Sequence, residues 1–216
     1  MGRPLPLLGV VLAALLPPAT GIWNVHSHHH VWAAARHGHI DEVVRHLDEG
    51  ERSGVGNPHP PCDPGACILT NLDPNLADPH HNWTAMHWAA IYDQHHVIEH
   101  LLAVGAHHDA VSDHQMTVLH QSARSGDLKS VRALIAHGAA IDPEDKHDAT
   151  PLVHAAQKGH AAVVLELLQA GADPQKVAYG KDIEMNHVHM SARDWALHKD
   201  QHGVVAVLDK WIKEEL

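Results

Sequence analysis

A period of 33 residues constrains this chain more than any other feature. Thr84, Thr117 and Thr150 stand 33 residues apart and open the segments TAMHWAA, TVLHQSA and TPLVHAA. A fixed distance behind each comes an aliphatic pair: Leu101-Leu102, Leu134-Ile135 and Leu167-Leu168. Each unit then closes on Gly-Ala, at Gly105, Gly138 and Gly171. The clearest unit runs from Thr150 to Ala172. In it Ala155, Ala156, Val163, Val164, Leu167 and Leu168 recur at helical spacing. Pro151 stands where a first helical turn tolerates it, and Gly171 where a C-cap glycine belongs. The spacing therefore predicts a short helix, a Gly-His turn and a second helix. Two helices this short cannot bury their own apolar faces, so each unit needs a neighbour of the same kind.

Two degenerate copies flank the clear ones. Val31 to Gly50 aligns Gly38-His39 with Gly159-His160 but has His29 in place of the opening Thr. Ser191 to Leu216 places Leu208 where the fourth unit has Leu167. Atypical terminal units are expected, because each must face water on one side. Period, caps and small residues together resemble the ankyrin repeat. The resemblance covers most of the chain after residue 23 and implies an all-α solenoid of about five helix-turn-helix units joined by β-turn fingers.

The expected organisation is a leader over 1–21, an N-terminal capping repeat over 22–50 and a Pro/Gly-rich insert loop over 51–77. Repeats follow over 78–110, 111–143 and 144–176, then an extended finger loop over 177–190 and a C-terminal capping repeat over 191–216. The insert follows from Ala35 and Ala90, which are equivalent but 55 apart. With no Phe in the chain, the core must come from Leu, Val, Ile, Ala and some of the six Trp.

The two ends point to a compartment. Arg3, the apolar run Leu5 to Leu16, Pro17-Pro18 and Ala19-Thr20-Gly21 have the layout of a secretory signal peptide. The run is too short to span a membrane. The tail Lys213-Glu214-Glu215-Leu216 resembles the Lys-Asp-Glu-Leu retrieval signal. Together they lead to the expectation of residence in the endoplasmic reticulum lumen, with secretion or a cytosolic chain with a misread leader as the alternatives. Cys62 and Cys67, the only cysteines, would pair in an oxidising compartment and stay free thiols in the cytosol. Their spacing alone is a weak zinc signal, since a structural site needs four ligands. Asn82-Trp83-Thr84 is the one glycosylation sequon. Equally, Asn82 occupies the finger turn, where Asn tolerates left-handed dihedrals.

The resemblance implies binding of another protein through the fingers and the exposed start of the inner helices. Carried onto this chain, the positions are His80, His81, Trp83, Ile91 and Tyr92, then Asp113, His114, Met116, Arg124 and Ser125, then Lys146, His147, Ala149, Gln157 and Lys158. Trp83 and Tyr92 are the expected anchors, because interface hot spots favour large aromatics. Trp83 could equally pack between repeats, and Trp88 is expected to pack. His87 and His120 fall at the family's Thr-Pro-Leu-His histidine and are expected to tether neighbouring fingers. Val153 and Asp194 replace that residue in later units and should weaken the tether.

Other function classes find less support. A net charge of −11 argues against a general nucleic-acid binder. No phosphate loop, nucleophile elbow or His-Glu-x-x-His motif is present, so no enzyme is expected. No cofactor, metal or membrane insertion is expected, and the chain is read as a monomer. The 26 His allow a metal- or proton-responsive protein as the alternative, since His titrates near 6.5. His81, His114 and His147 form rungs along one edge, but stacked repeats lie about 10 Å apart, too far for three to converge on one ion. His26 to His30 is expected to be a polar lead-in to the first helix.

Overall fold

The computed structural model describes residues 25–49, 73–78, 80–181 and 187–214. The leader, Cys62, Cys67, Glu215 and Leu216 lie outside them.

Among the described residues, ten helices form five pairs. The inner members are α1 (Val25–His37), α3 (Ala85–Ile91), α5 (Val118–Ser125), α7 (Pro151–Lys158) and α9 (Ala192–His198). The outer members are α2 (Ile40–Glu49), α4 (His95–Ala103), α6 (Leu128–Ala136), α8 (Ala161–Gln169) and α10 (His202–Glu214). Inner helices pack on inner helices along the row, and outer on outer. His26 to His30 belongs to α1 and does not precede it.

The core is one continuous cluster running through all five pairs. Small residues of the inner helices let the layers close: Ala35, Ala89, Ala90, Ala123, Ala155, Ala156 and Ala196 are fully covered. The aliphatic residues of the outer helices, among them Leu101, Leu134, Leu167 and Leu208, fill the space between layers. Trp32 and Trp195 are buried at the two ends of the row, where a Phe-free sequence supplies bulk with Trp.

Helix starts follow the repeated Thr. Thr84, Thr117 and Thr150 are each N-caps in extended conformation, and Ser191 takes the role for α9 in a capping box with Asp194. Pro151 occupies the first turn of α7, where its missing N–H costs nothing.

Two connections differ from expectation. Residues 73–77, assigned to the insert loop, join the repeat stack. Trp32 Nε1 donates to the Leu76 carbonyl at 3.4 Å, and Asn75 Oδ1 accepts the His107 amide at 2.6 Å. The long last finger carries two antiparallel strands, β1 (Val177–Lys181) and β2 (His187–Ser191), with Val177 opposite Ser191 and Tyr179 opposite His189.

Candidate functional site

Three fingers reach past the inner helices, and each turns on one residue with positive φ: Asn82 at 55°, Gln115 at 58° and Asp148 at 57°. Buried acceptors hold the turns. Asp78 takes the amides of His80 (2.9 Å), His81 (2.8 Å) and Trp83 (3.2 Å). Asp145 takes those of His147 (2.8 Å) and Ala149 (3.0 Å). In the middle finger Ser112 Oγ accepts only Met116 N–H, at 3.2 Å. One backbone bond links each finger to the next. Asp113 N–H donates to His81 O (3.0 Å), Lys146 N–H to His114 O (3.1 Å) and Tyr179 N–H to His147 O (2.8 Å). The three His are therefore rungs through their carbonyls, with exposed side chains. Asn82 Nδ2 adds a further link, donating to Val111 O at 2.8 Å.

His87 and His120 make the expected tethers. Nδ1 of His87 accepts from Thr84 N–H at 3.3 Å, while Nε2–H donates to Met116 O at 3.1 Å. His120 repeats this with Thr117 N–H (3.0 Å) and Ala149 O (3.0 Å). Both rings thus bridge a helix cap and the next finger. Burial pushes both pKa values down to about 4, so both act as neutral imidazoles with the proton on Nε2. Val153 is buried and makes no such bond, and Asp194 turns back to cap its own helix by accepting Ser191 N–H at 3.1 Å.

Next to His120, His154 Nε2 pairs with Asp145 Oδ2 at 2.9 Å. Burial alone would raise the Asp145 pKa, but the bonds from His154, His147 and Ala149 outweigh it and hold the value near 2. Nothing in the repeat pattern flags this pair, because His154 stands one place after the tether position.

The expected surface residues separate into two groups. His80, His81, Tyr92, Asp113, His114, Arg124, Lys146, His147 and Lys158 are exposed; Trp83, Ile91, Ser125 and Gln157 are half-buried. Met116 and Ala149 are buried, their carbonyls spent on the tethers, so neither side chain faces a partner. Ile91 ends α3, Tyr92 is its C-cap, and Arg124, Ser125, Gln157 and Lys158 lie in the last turns of α5 and α7. These residues close the inner helices, where the sequence reading put them at the start.

The aromatic residues converge in the second repeat. Trp83 meets Trp88 edge to face with centroids 4.8 Å apart, and Trp88 stacks on Tyr92 at 6.4 Å and 11°. His81 lies 5.1 Å from Trp83. From the first repeat, the Arg36 guanidinium sits 4.6 Å over Tyr92 and 6.0 Å from the Trp88 centroid. Trp83 and Trp88 are both half-buried; Trp88 packs against the core, as expected, and faces the first repeat through Arg36. Beside them opens a cavity of about 260 Å³ lined by Trp32, Ala33, Arg36, His37, Asp78, His80, His81 and Trp88. Arg36 escaped the sequence reading because the first unit lacks the Thr opening. Its signal was present: Arg36 aligns with Ile91, as Ala35 aligns with Ala90.

Among the described residues no group of three His, Cys, Asp or Glu is placed to hold a metal ion. No helix among them is long and apolar enough to cross a membrane.

A family model for ankyrin repeats (3 copies) matches residues 27–145 and again 87–178. The chain belongs to the ankyrin-repeat family. Ankyrin repeats generally mediate protein–protein interaction, and another protein is the class of partner this fold implies. No curated protein matches the chain significantly.

Proposed function

We propose that this chain is a non-enzymatic, monomeric protein-binding module that seats its partner along the finger row and the closing turns of the inner helices. The aromatic cluster of Trp83, Trp88 and Tyr92 carries the proposal. It presents large rings beside a cavity, and such rings dominate binding energy at interfaces. The remaining finger residues, His81, His114, His147, Asp113 and Lys146, supply an exposed polar rim. A quantitative affinity capture compares the wild type with a Tyr92→Ala/His81→Ala double variant and with Arg132→Ala, which alters the outer helix α6. Proteins retained by the wild type and Arg132→Ala but lost by the double variant support the reading. An unchanged set across all three removes it.

The location we propose is the lumen of the endoplasmic reticulum, where the module acts as an adaptor or holding factor for luminal proteins. The signal-peptide layout of 1–21 and the tail at Lys213 to Leu216 support it. In that compartment Cys62 and Cys67 pair as a disulfide, and the Asn82 sequon meets the glycosylation machinery. A native N-terminus near Ile22, with retention lost on deleting Leu216, is the expected outcome. An intact Met1 with a cytosolic distribution discards the location and the disulfide while leaving the binding role.

A further inference from the structure

We infer that the cleft between the first and second repeats takes a carboxylate side chain from a segment of the partner protein, and that Arg36 is the residue that binds it. The inference rests on the protein-binding reading above and adds the chemistry of the partner.

Arg36 is held against aromatic rings. The rings of Tyr92 and Trp88 flank the guanidinium at 4.6 and 6.0 Å. A guanidinium set over aromatic rings keeps its N–H donors, which match a carboxylate in bidentate geometry. Among the described residues no carboxylate pairs with Arg36, whereas Arg132 pairs with Glu166 and Arg193 with Asp209. The one acid in the cavity lining, Asp78, is buried and takes the amides of His80, His81 and Trp83. The lining therefore offers an exposed guanidinium with no acid paired to it among the described residues, while His81 already lies 3.5 Å from Asp78.

The cleft also fits an apolar neighbour. Trp32, Ala33 and Trp88 line the same cavity of about 260 Å³, and aromatic walls with a few placed polar groups are the usual form of a selective pocket. Because the rings already hold the guanidinium, ordering it on binding costs little side-chain entropy. The occupant is thus an Asp or Glu beside an aliphatic or aromatic residue. The preference is notable in a chain of net charge −11, whose overall field repels an acidic partner and leaves the recognition to this local site.

A random library of 12-residue peptides displayed on phage, panned against the full chain, tests this. The expected selected peptides carry Asp or Glu next to an apolar residue. A synthetic copy of the most enriched one should lose about tenfold or more in affinity on Arg36→Gln, the scale of a charge-assisted hydrogen bond. Arg36→Lys should lose less, and replacing the peptide's acid by its amide should give no further loss in Arg36→Gln. Arg36 is exposed, so an unchanged melting temperature verifies that the variants fold. Selected peptides without excess acid, unchanged affinity for Arg36→Gln, or no selected peptide at all overturns the inference. If acid-free peptides are selected and lost on Tyr92→Ala, the aromatic cluster still binds protein and only the acid preference falls.

Discussion

His87 and His120 set an acid limit on this protein. Each is neutral in the fold, with a pKa lowered from the ordinary 6.5 to about 4 by burial. Unfolding returns the ring to water, where it binds a proton more readily. The stability they contribute is complete above about pH 6.5 and is lost as pH falls towards 4. At about 1.4 kcal/mol per pKa unit, each costs about 3 kcal/mol by pH 4. Urea denaturation across that range should show the fall, and a His87→Val/His120→Val variant should be weaker at pH 7 with a flatter acid limb. Two glycines give a second contrast. Gly126 and Gly138 both have positive φ, 90° and 85°. A Cβ on Gly126 would lie 2.5 Å from His160 Nδ1, whereas Gly138 faces open space. Gly138→Ala should cost only the left-handed penalty, about 1 kcal/mol. Gly126→Ala should cost at least about 1 kcal/mol more, because it displaces the His160 ring that bonds Arg124 O at 3.1 Å. Denaturation midpoints of the two variants check the difference.

At the scale of elements, the helices share one plan but differ in how they start. Asp127 caps α6, accepting from Lys129 N–H at 3.1 Å and Ser130 N–H at 3.3 Å. The N-caps of α4 and α8, Gln94 and His160, make no side-chain cap bond. Asp127→Ala should therefore cost about 1 kcal/mol, while His160 matters through its reach to the preceding repeat. Thermal unfolding of Asp127→Ala checks the first value. Much of this level was legible. The Thr openings, Pro151 and Asn82 at its finger turn led to the observed conformations, because each is local chemistry, whereas the positive φ of Gln115 and Asp148 was not read from the sequence. Other features were not legible. The strands β1 and β2 arise where the last finger lies against the one before it, through Tyr179 N–H and His147 O. Met116 is buried and its carbonyl is taken by His87, 29 positions back. Both involve a contact with a different repeat.

For the whole molecule, stability is a sum of units and the interfaces between them. The terminal pair α9–α10 covers α7 and α8, whose Leu152, Val153, Val164 and Leu167 belong to the shared core. A chain ending before Ser191 should melt at a lower temperature and aggregate, through the apolar surface it uncovers; a thermal melt followed by light scattering reads both. The sequence by itself determined the period, the helix-turn-helix unit, the caps and the tethering role of His87 and His120, because those features depend on neighbours within one 33-residue unit or at a constant offset from it. Only the tertiary structure decided which exposed residues meet. Arg36 and Tyr92 are 56 positions apart and lie on different repeats, yet the guanidinium of one rests on the ring of the other. Stacking brings the two repeats together through their buried alanines, and what that places side by side on the surface is written in no local pattern.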